Sequence, residues 1–424
     1  MENSWPLKSI AECASPEPYS TQIGPFGKAL MAHEYTPFGV PVLRGVNVNH
    51  GRFRDDDFVF ISEEKANQLN KFESYPKDVL LVHKGTIGPI GIMPTKRKYR
   101  RYILGNSMMR VRCDRTKLLP EFLYYWLSSP NGQHYLFSRI SQVGVPQLQT
   151  PLTTLRQATL LVPSLPEQQA ITGVLGKLDE KIELNEQNRE NLEAITNAIF
   201  KQWFIDFEFP NEEGKPYKSS GGGMIFNEEV VEQIPKGWEA GKLGDIIELT
   251  MGLSPRGEYY NVIGKGLPLI NGAADFSDGR VAPKKFTVKP TRVCKKGDLL
   301  FCIRGTIGNL TYADRQYCLG RGVSAISVKN DIHREYIYFA LGNQLEALKS
   351  EAAGSVIVGL SKPDILKLRV LLPPRSVMRK FHEVLKDLFA KKELNGLEIE
   401  NLSEIRDSLL PKIIAGKIRV LHLG

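Results

Sequence analysis

The sequence predicts an α+β chain in which one unit is written twice: a β-rich domain followed by a long helix, the two helices packing antiparallel as a coiled-coil spacer. Three observations predict it. Apolar residues between Leu165 and Phe209 recur in steps alternating four and three, the spacing of a helix that packs lengthwise on another helix. The same pattern returns 210 positions later, from Arg375 to about Lys417. Ahead of each helix lies a stretch of short apolar runs broken by Gly, Pro and Asn, which reads as irregular, twisted β-structure.

In the first helix Ile171, Leu178, Asn185, Leu192 and Ile199 form one row, and Leu175, Ile182, Arg189, Thr196 and Trp203 the row beside it. In the second, Phe381, Leu388, Asn395, Leu402 and Leu409 lie beside Leu385, Lys392, Ile399, Arg406 and Ile413. Glu183-Leu184-Asn185 recurs as Glu393-Leu394-Asn395, and Glu190-Asn191-Leu192 as Glu400-Asn401-Leu402. Roughly 40 residues rising 1.5 Å each make a rod on the order of 60 Å long. With polar outer faces, such a rod is not stable alone and needs a partner, which the second copy supplies. A seam asparagine costs stability and fixes register or orientation. Asn185 and Asn395 each fall near the middle of their helix, so an antiparallel pair brings both close to the crossing.

Taken in order, the chain divides into a first domain (1–164), the first spacer helix (165–209), a crossover linker (210–234), a second domain (235–373), and the second helix with a C-terminal tail (374–424). In the first domain Val40–Leu43, Val79–Val82 and Ile87–Met93 read as strands. Leu119–Leu127 reads as a helix that Ser129-Pro130-Asn131-Gly132 ends. The second domain follows the same script. Lys77-Asp78-Val79-Leu80 leading to Lys84-Gly85-Thr86-Ile87-Gly88 is answered by Gly297-Asp298-Leu299-Leu300 leading to Arg304-Gly305-Thr306-Ile307-Gly308. Pro41-Val42-Leu43-Arg44-Gly45 is answered by Pro268-Leu269-Ile270-Asn271-Gly272. The offset drifts through the domains and locks at 210 in the helices, because loops tolerate length changes and packed seams do not. In the crossover, Ser219-Ser220-Gly221-Gly222-Gly223 reads as a flexible hinge.

Bulk properties narrow the function. Over 424 residues, 42% are hydrophobic and 24% charged, ordinary for a globular protein of two or three domains. No apolar run approaches the roughly 18 residues of a membrane span, and MENSWPLKSI lacks a signal-peptide core, so a cytoplasmic protein with no membrane partner is expected. Five scattered cysteines without a CxxC read as reduced thiols, and seven histidines without HExxH show no metal site. Asp206, Glu213 and Lys215 have nuclease-like D…ExK spacing, but on a helix end and a polar crossover rather than on adjacent strands around a cation. GEYYNVIGKG (257–266) lacks P-loop spacing, and there is no GxGxxG, GxSxG or kinase signature set. No enzyme is visible, so no catalytic residue and no cofactor is assigned to this chain.

What remains is binding chemistry. A net charge of +9 suits a polyanion partner. Arg44, Asn47, Asn49, His50, Arg52 and Arg54 gather around two glycines and are types that hydrogen-bond base edges and phosphates. Lys84 immediately precedes the first Gly-Thr-Ile-Gly, and Thr86 lies within it. The run Lys96, Arg97, Lys98, Tyr99, Arg100 and Arg101 suits phosphates, and Gln142, Gln147 and Gln149 in SQVGVPQLQT suit adenine. The second domain offers Arg256, Asn271, Asp275, Asp278, Arg280, Arg304, Thr306, Ser355, Ser361 and Lys362. The polar sets differ while the framework agrees, as expected of one scaffold reading two sequences.

The duplicated order, the paired helices, Leu165-Pro166-Glu167-Gln168-Gln169 opening the helix, the repeated Gly-Thr-Ile-Gly and the crossover Trp203–Pro210 leading to Gly214–Gly222 resemble the DNA-specificity subunit of Type I restriction–modification systems. The resemblance covers essentially the whole chain. It implies two target-recognition domains, each reading one half of a bipartite, gapped site in double-stranded DNA. It also implies assembly with two methyltransferase subunits that bind S-adenosylmethionine, and with restriction/translocase subunits that use ATP and Mg. The specificity subunit itself is non-catalytic. Lys392 departs from the family's apolar choice at its seam position. The outer helix faces, with Phe200, Trp203 and Phe204, are docking candidates for the methyltransferases, core packing being the other role for those aromatics. Two other readings are a coiled-coil scaffold that never touches DNA, and the specificity subunit of a related system whose partner both methylates and cleaves.

Overall fold

The computed structural model describes residues 5–49, 52–141, 144–277, 279–351 and 359–420. Two compact units of matching design result, one holding the residues up to Asn185 with those from Leu397 onward, the other Glu186–Gly396. Each is a β-rich domain with the portions of both long helices that pack on it.

Unit 1 contains β1 (Thr21–Ile23), β2 (Val40–Leu43), β3 (Val59–Ile61), β4 (Val79–Val82), β5 (Ile90–Ile92), β6 (Ile103–Leu104) and β7 (Met108–Val111). One antiparallel sheet has the order β1-β7-β4-β5; a second has the order β3-β2-β6, with β2 and β6 parallel. β4 is buried throughout because its alternating side chains serve two cores. Val79 and Leu81 face the core shared with the long helices, while Leu80 and Val82 face the core of the second sheet.

Unit 2 repeats this arrangement with β8 (Ile247–Met251), β9 (Leu267–Ile270), β10 (Lys285–Thr287), β11 (Leu299–Cys302), β12 (Gly308–Tyr312), β13 (Tyr317–Leu319) and β14 (Val323–Val328). The order is β8-β14-β11-β12 in one sheet, with β10-β9-β13 at the centre of the other and β9 parallel to β13. In β11, Leu299 and Phe301 face one core and Leu300 and Cys302 the other. All five cysteines are buried and free.

The expected helix after residue 119 runs Pro120–Ser128, but the stop signal behind it starts another helix, Pro130–Phe137. The Ser129 hydroxyl accepts the Gly132 amide and Pro130 takes the first helical position, where its missing N–H costs nothing.

The long helices span Leu165–Phe204 and Arg375–Ile414 and run antiparallel within each unit. In unit 1 Asp179 meets Arg406 at 2.9 Å, and Lys181 meets Glu398 at 3.3 Å. Ile171 and Leu175 share their core with Leu410, Ile413 and Ile414. In unit 2 Glu193 meets Lys392 at 3.0 Å, and the Trp203 ring lies 5.5 Å from Phe381. Every seam position is buried or half-buried. Lys392 fits the seam because its ammonium reaches Glu193 and lies 5.7 Å from the Tyr338 ring while its stem packs inward. Both seam asparagines are buried: Asn185 donates to Glu398 at 2.9 Å, whereas neither end of the Asn395 amide has a partner among the described residues.

The opening of the first helix has a physical reason. Gln168 is completely buried; its Oε1 accepts the Leu119 amide at 2.8 Å, and its Nε2 donates to the carbonyls of Lys117 (3.0 Å) and Pro163 (2.9 Å). That one amide joins the long helix to the domain helix.

The helix expected to reach Phe209 stops at Phe204. Phe207 turns left-handed at φ 59°, and the Phe207 and Phe209 rings pack 5.5 and 5.2 Å from Trp238. Burying two aromatics outweighs one more helical turn. Phe200, Trp203 and Phe204 lie in the same core, so packing is their role. The stretch read as a flexible hinge is instead a hydrogen-bonded turn. The Glu208 carboxylate accepts the Ser219 amide at 3.1 Å, Tyr217 stacks on Phe209 at 4.6 Å, and a hairpin of Met224–Asn227 with Glu232–Pro235 follows.

Candidate nucleic-acid interface

The Gly-Thr-Ile-Gly turn is built alike in both units. In unit 1 it follows β4: the His83 carbonyl accepts the Leu148 amide at 2.8 Å, and the Gly85 amide donates to the Pro146 carbonyl at 2.8 Å. Gly85 and Gly88 sit at φ 95° and 123°, which favours glycine, and Ile87 plugs the core. In unit 2 the Ile303 carbonyl accepts the Leu360 amide at 2.9 Å, Gly305 and Gly308 sit at φ 69° and 116°, and Ile307 is the plug. The motif is thus a docked turn whose buried residue anchors it and whose other side chains point outward.

Those outward side chains differ. Lys84, Thr86, Gln147 and Gln149 are exposed in unit 1, brought together by the pairing of Lys84 with Gln147. Arg304, Thr306 and Lys362 are exposed in unit 2, with Gly359 against the Arg304 stem. Burial pushes the His83 imidazole down from its usual range, so the positive charge beside the first turn is that of Lys84. Arg139 joins this group: it is exposed, its guanidinium lies 3.7 Å from the Tyr135 ring centre, and its carbonyl accepts the Gln149 amide at 2.9 Å. Sequence reasoning missed it; its place just ahead of the SQVGVPQLQT loop was the available signal. Ammonium, guanidinium and amide groups so grouped can contact phosphates and base edges.

The basic run of unit 1 is a second group. Asp55 holds it, accepting the Lys98 amide at 2.8 Å and the Tyr102 hydroxyl at 2.6 Å. Burial, then that carboxylate, pushes the Tyr102 phenol far up, so it donates at any ordinary pH. Lys96, Lys98 and Arg100 are exposed, while half-buried Arg97 lies 5.8 Å from the Tyr102 ring.

Several candidates make contacts within the protein. Asn47 is fully buried, accepting the Arg44 amide at 2.9 Å and donating to the Asp56 carbonyl at 2.7 Å. Arg101 is engaged by Glu63, Glu73 and Asn67. Ser361 caps a short helix through Asp364. Half-buried Asn271 has its backbone amide held by Asp275 at 2.7 Å. The Arg280 guanidinium lies against Gly396 of the second long helix. Arg44 is tied to Asp57 and Arg54 to Asp56, both at 3.3 Å, and both remain partly exposed; Arg256 is exposed. Asn49 and Arg52 pair through their backbones in a short hairpin. His50, Gln142, Asp278 and Ser355 lie outside the described residues. Among the described residues, no helix is long and apolar enough to cross a membrane, and no group of three or more His, Cys, Asp or Glu is placed to hold a metal ion.

The fold is a duplicated pair of β-rich units, each carrying a differently dressed copy of one docked turn. The comparisons name its family. A model of the Type I restriction modification DNA specificity domain matches residues 28–194 and again 235–404, and the chain belongs to this family. It is 29% identical over 390 residues to the Type I restriction enzyme MjaIX specificity subunit of Methanocaldococcus jannaschii, covering 87% of this chain and 85% of that one. It is 23% identical to the HindI specificity subunit of Haemophilus influenzae, covering 75% and 81%. The crystal structure of the Type I restriction–modification S subunit from M. genitalium shares the fold with a TM-score of 0.63 at 19% identity, covering 97% of both chains.

Proposed function

We propose that this chain reads a bipartite, gapped site in double-stranded DNA, one half per domain, and directs two methyltransferase subunits and the restriction/translocase subunits to it. The observation that carries the reading is the similarly docked Gly-Thr-Ile-Gly turn, with Lys84, Thr86, Gln147 and Gln149 exposed at it in one domain and Arg304, Thr306 and Lys362 in the other. A conserved mount with changed contacts is what two different half-sites require. On this reading the chain positions partners and contributes no catalytic group. S-adenosylmethionine belongs on the methyltransferases, and ATP with Mg on the restriction subunits, all in the cytoplasm.

The outer faces of the long helices support two copies of one partner. Val174, Leu184 and Ile195 are exposed by 40, 49 and 48%, and their repeats Val384, Leu394 and Ile405 by 46, 56 and 47%. Solvent-facing apolar residues retained at matching positions suit two equal docking surfaces.

The test is to co-express the chain with its methyltransferase, sequence the methylated genome, and then exchange residues 1–160 for the corresponding domain of a relative. One half of the motif is expected to change. Change in both halves, or methylation with no gapped motif, refutes the reading.

A further inference from the structure

The most exposed large apolar side chains among the described residues are Ile263 at 81%, Phe38 at 80% and Val262 at 76%. They occupy the same place in the two units: the tip that enters the central strand of the second sheet, β2 in one and β9 in the other. Each tip ends on a glycine in the left-handed region facing a carbonyl of the neighbouring strand. Gly39 has φ 134°, and a Cβ there would meet the Ile61 carbonyl oxygen at 2.3 Å; Gly266 has φ 91°, and a Cβ would meet the Thr287 oxygen at 2.2 Å. Both tips are held from within. The Thr36 hydroxyl donates to the Phe38 carbonyl at 2.8 Å. The Asn261 amide accepts from the Ile263 and Lys265 backbones at 3.2 and 2.9 Å and donates to the Lys265 carbonyl at 2.8 Å.

Their surroundings are basic. Phe60, whose carbonyl accepts the Thr36 amide at 2.9 Å, packs its ring 5.6 Å from Tyr99 within the Lys96–Arg101 run. In unit 2 exposed Lys265 is part of the tip, and Lys285 and Lys289 are exposed in and just beyond the neighbouring strand. Apolar side chains held out to water with basic residues nearby fit a partner that is polyanionic outside and apolar within, which is the make-up of stacked DNA.

We propose that each tip is a wedge that enters the duplex between adjacent base pairs of its half-site and partly unstacks them. The proposal rests on the two-part DNA reading above. Phenylalanine in one copy and Val-Ile in the other share bulk and protrusion but no hydrogen-bonding pattern, so the role concerns base faces rather than base identity.

The complex of this chain with its methyltransferase subunits is bound to the site that methylation sequencing defines, with 2-aminopurine placed in turn at each adenine other than the methylated one. Fluorescence is expected to rise at one step in each half-site. Phe38→Ser should abolish one rise and the double change Val262→Ser, Ile263→Ser the other, each weakening binding by about 10-fold. Val231→Ser, exposed by 73% and outside both tips, should change neither. No rise on a site that the complex methylates, or rises that survive both tip variants, overturns the wedge and leaves the two-part reading intact. Loss of a partner subunit with unstacking unchanged also overturns it, by making the tips protein contacts. Absence of any sequence-specific methylation refutes the two-part reading and the wedge with it.

Discussion

Asp179 on the first long helix receives Arg406 of the second at 2.9 Å, and with its other oxygen accepts the hydroxyl of Tyr125, a buried residue of the domain helix, at 2.7 Å. One carboxylate therefore joins three elements. Asp179→Ala leaves a buried hydroxyl and a half-buried guanidinium without it, and is expected to cost unit 1 about 2 kcal/mol. Denaturant unfolding should show the loss, and hydrogen exchange should quicken over residues 120–128.

If the helix pair sets the distance between half-sites, its length is the ruler. Seven residues added after Asn185 and seven after Gly396 keep the heptad pattern and lengthen each helix by about 10 Å. Methylome sequencing is expected to return both half-sequences unchanged with a gap longer by up to about three base pairs. An unchanged gap would remove the helices from any measuring role.

Docking of two equal partners predicts separable losses. Val174→Ser with Leu184→Ser should weaken binding of one methyltransferase copy by about 10-fold, and Val384→Ser with Leu394→Ser the other. Native mass spectrometry would then find one methyltransferase per chain with either pair and none with both. Two copies retained with all four changes would place the docking elsewhere.

The two seam asparagines should respond oppositely to leucine. Asn395 has no hydrogen-bond partner among the described residues, so Asn395→Leu is expected to stabilise unit 2 by about 1 kcal/mol. Asn185→Leu takes a partner from Glu398 and is expected to destabilise unit 1 by a similar amount. Chemical denaturation of the two variants side by side gives the signs.

The framework was legible because packing leaves a period. The seam of the long helices, the unbroken apolar run Val79–Val82 and the 210-residue repeat are patterns of burial, and burial fixes residue type. The contact surface was less legible because a polar residue that staples a loop is the same type as one that reads a base. Asn47, Arg101 and Ser361 looked like readers, but their hydrogen bonds are spent inside the protein. Phe38, Val262 and Ile263 were passed over because isolated apolar residues in loops carry no pattern until the strands they precede are known to be equivalent.

Unit 1 is discontinuous: Ile171 and Leu175 complete their core with Leu410, Ile413 and Ile414, while unit 2 is one unbroken stretch. On the ribosome the order of completion is therefore the reverse of the order of translation. The second domain has all its parts once residue 396 has emerged, and the first waits, one flank unsealed, for a segment made more than 200 residues after its own helix begins. A premature stop just beyond residue 396 would spare the domain synthesised second and expose the one synthesised first to proteases and chaperones.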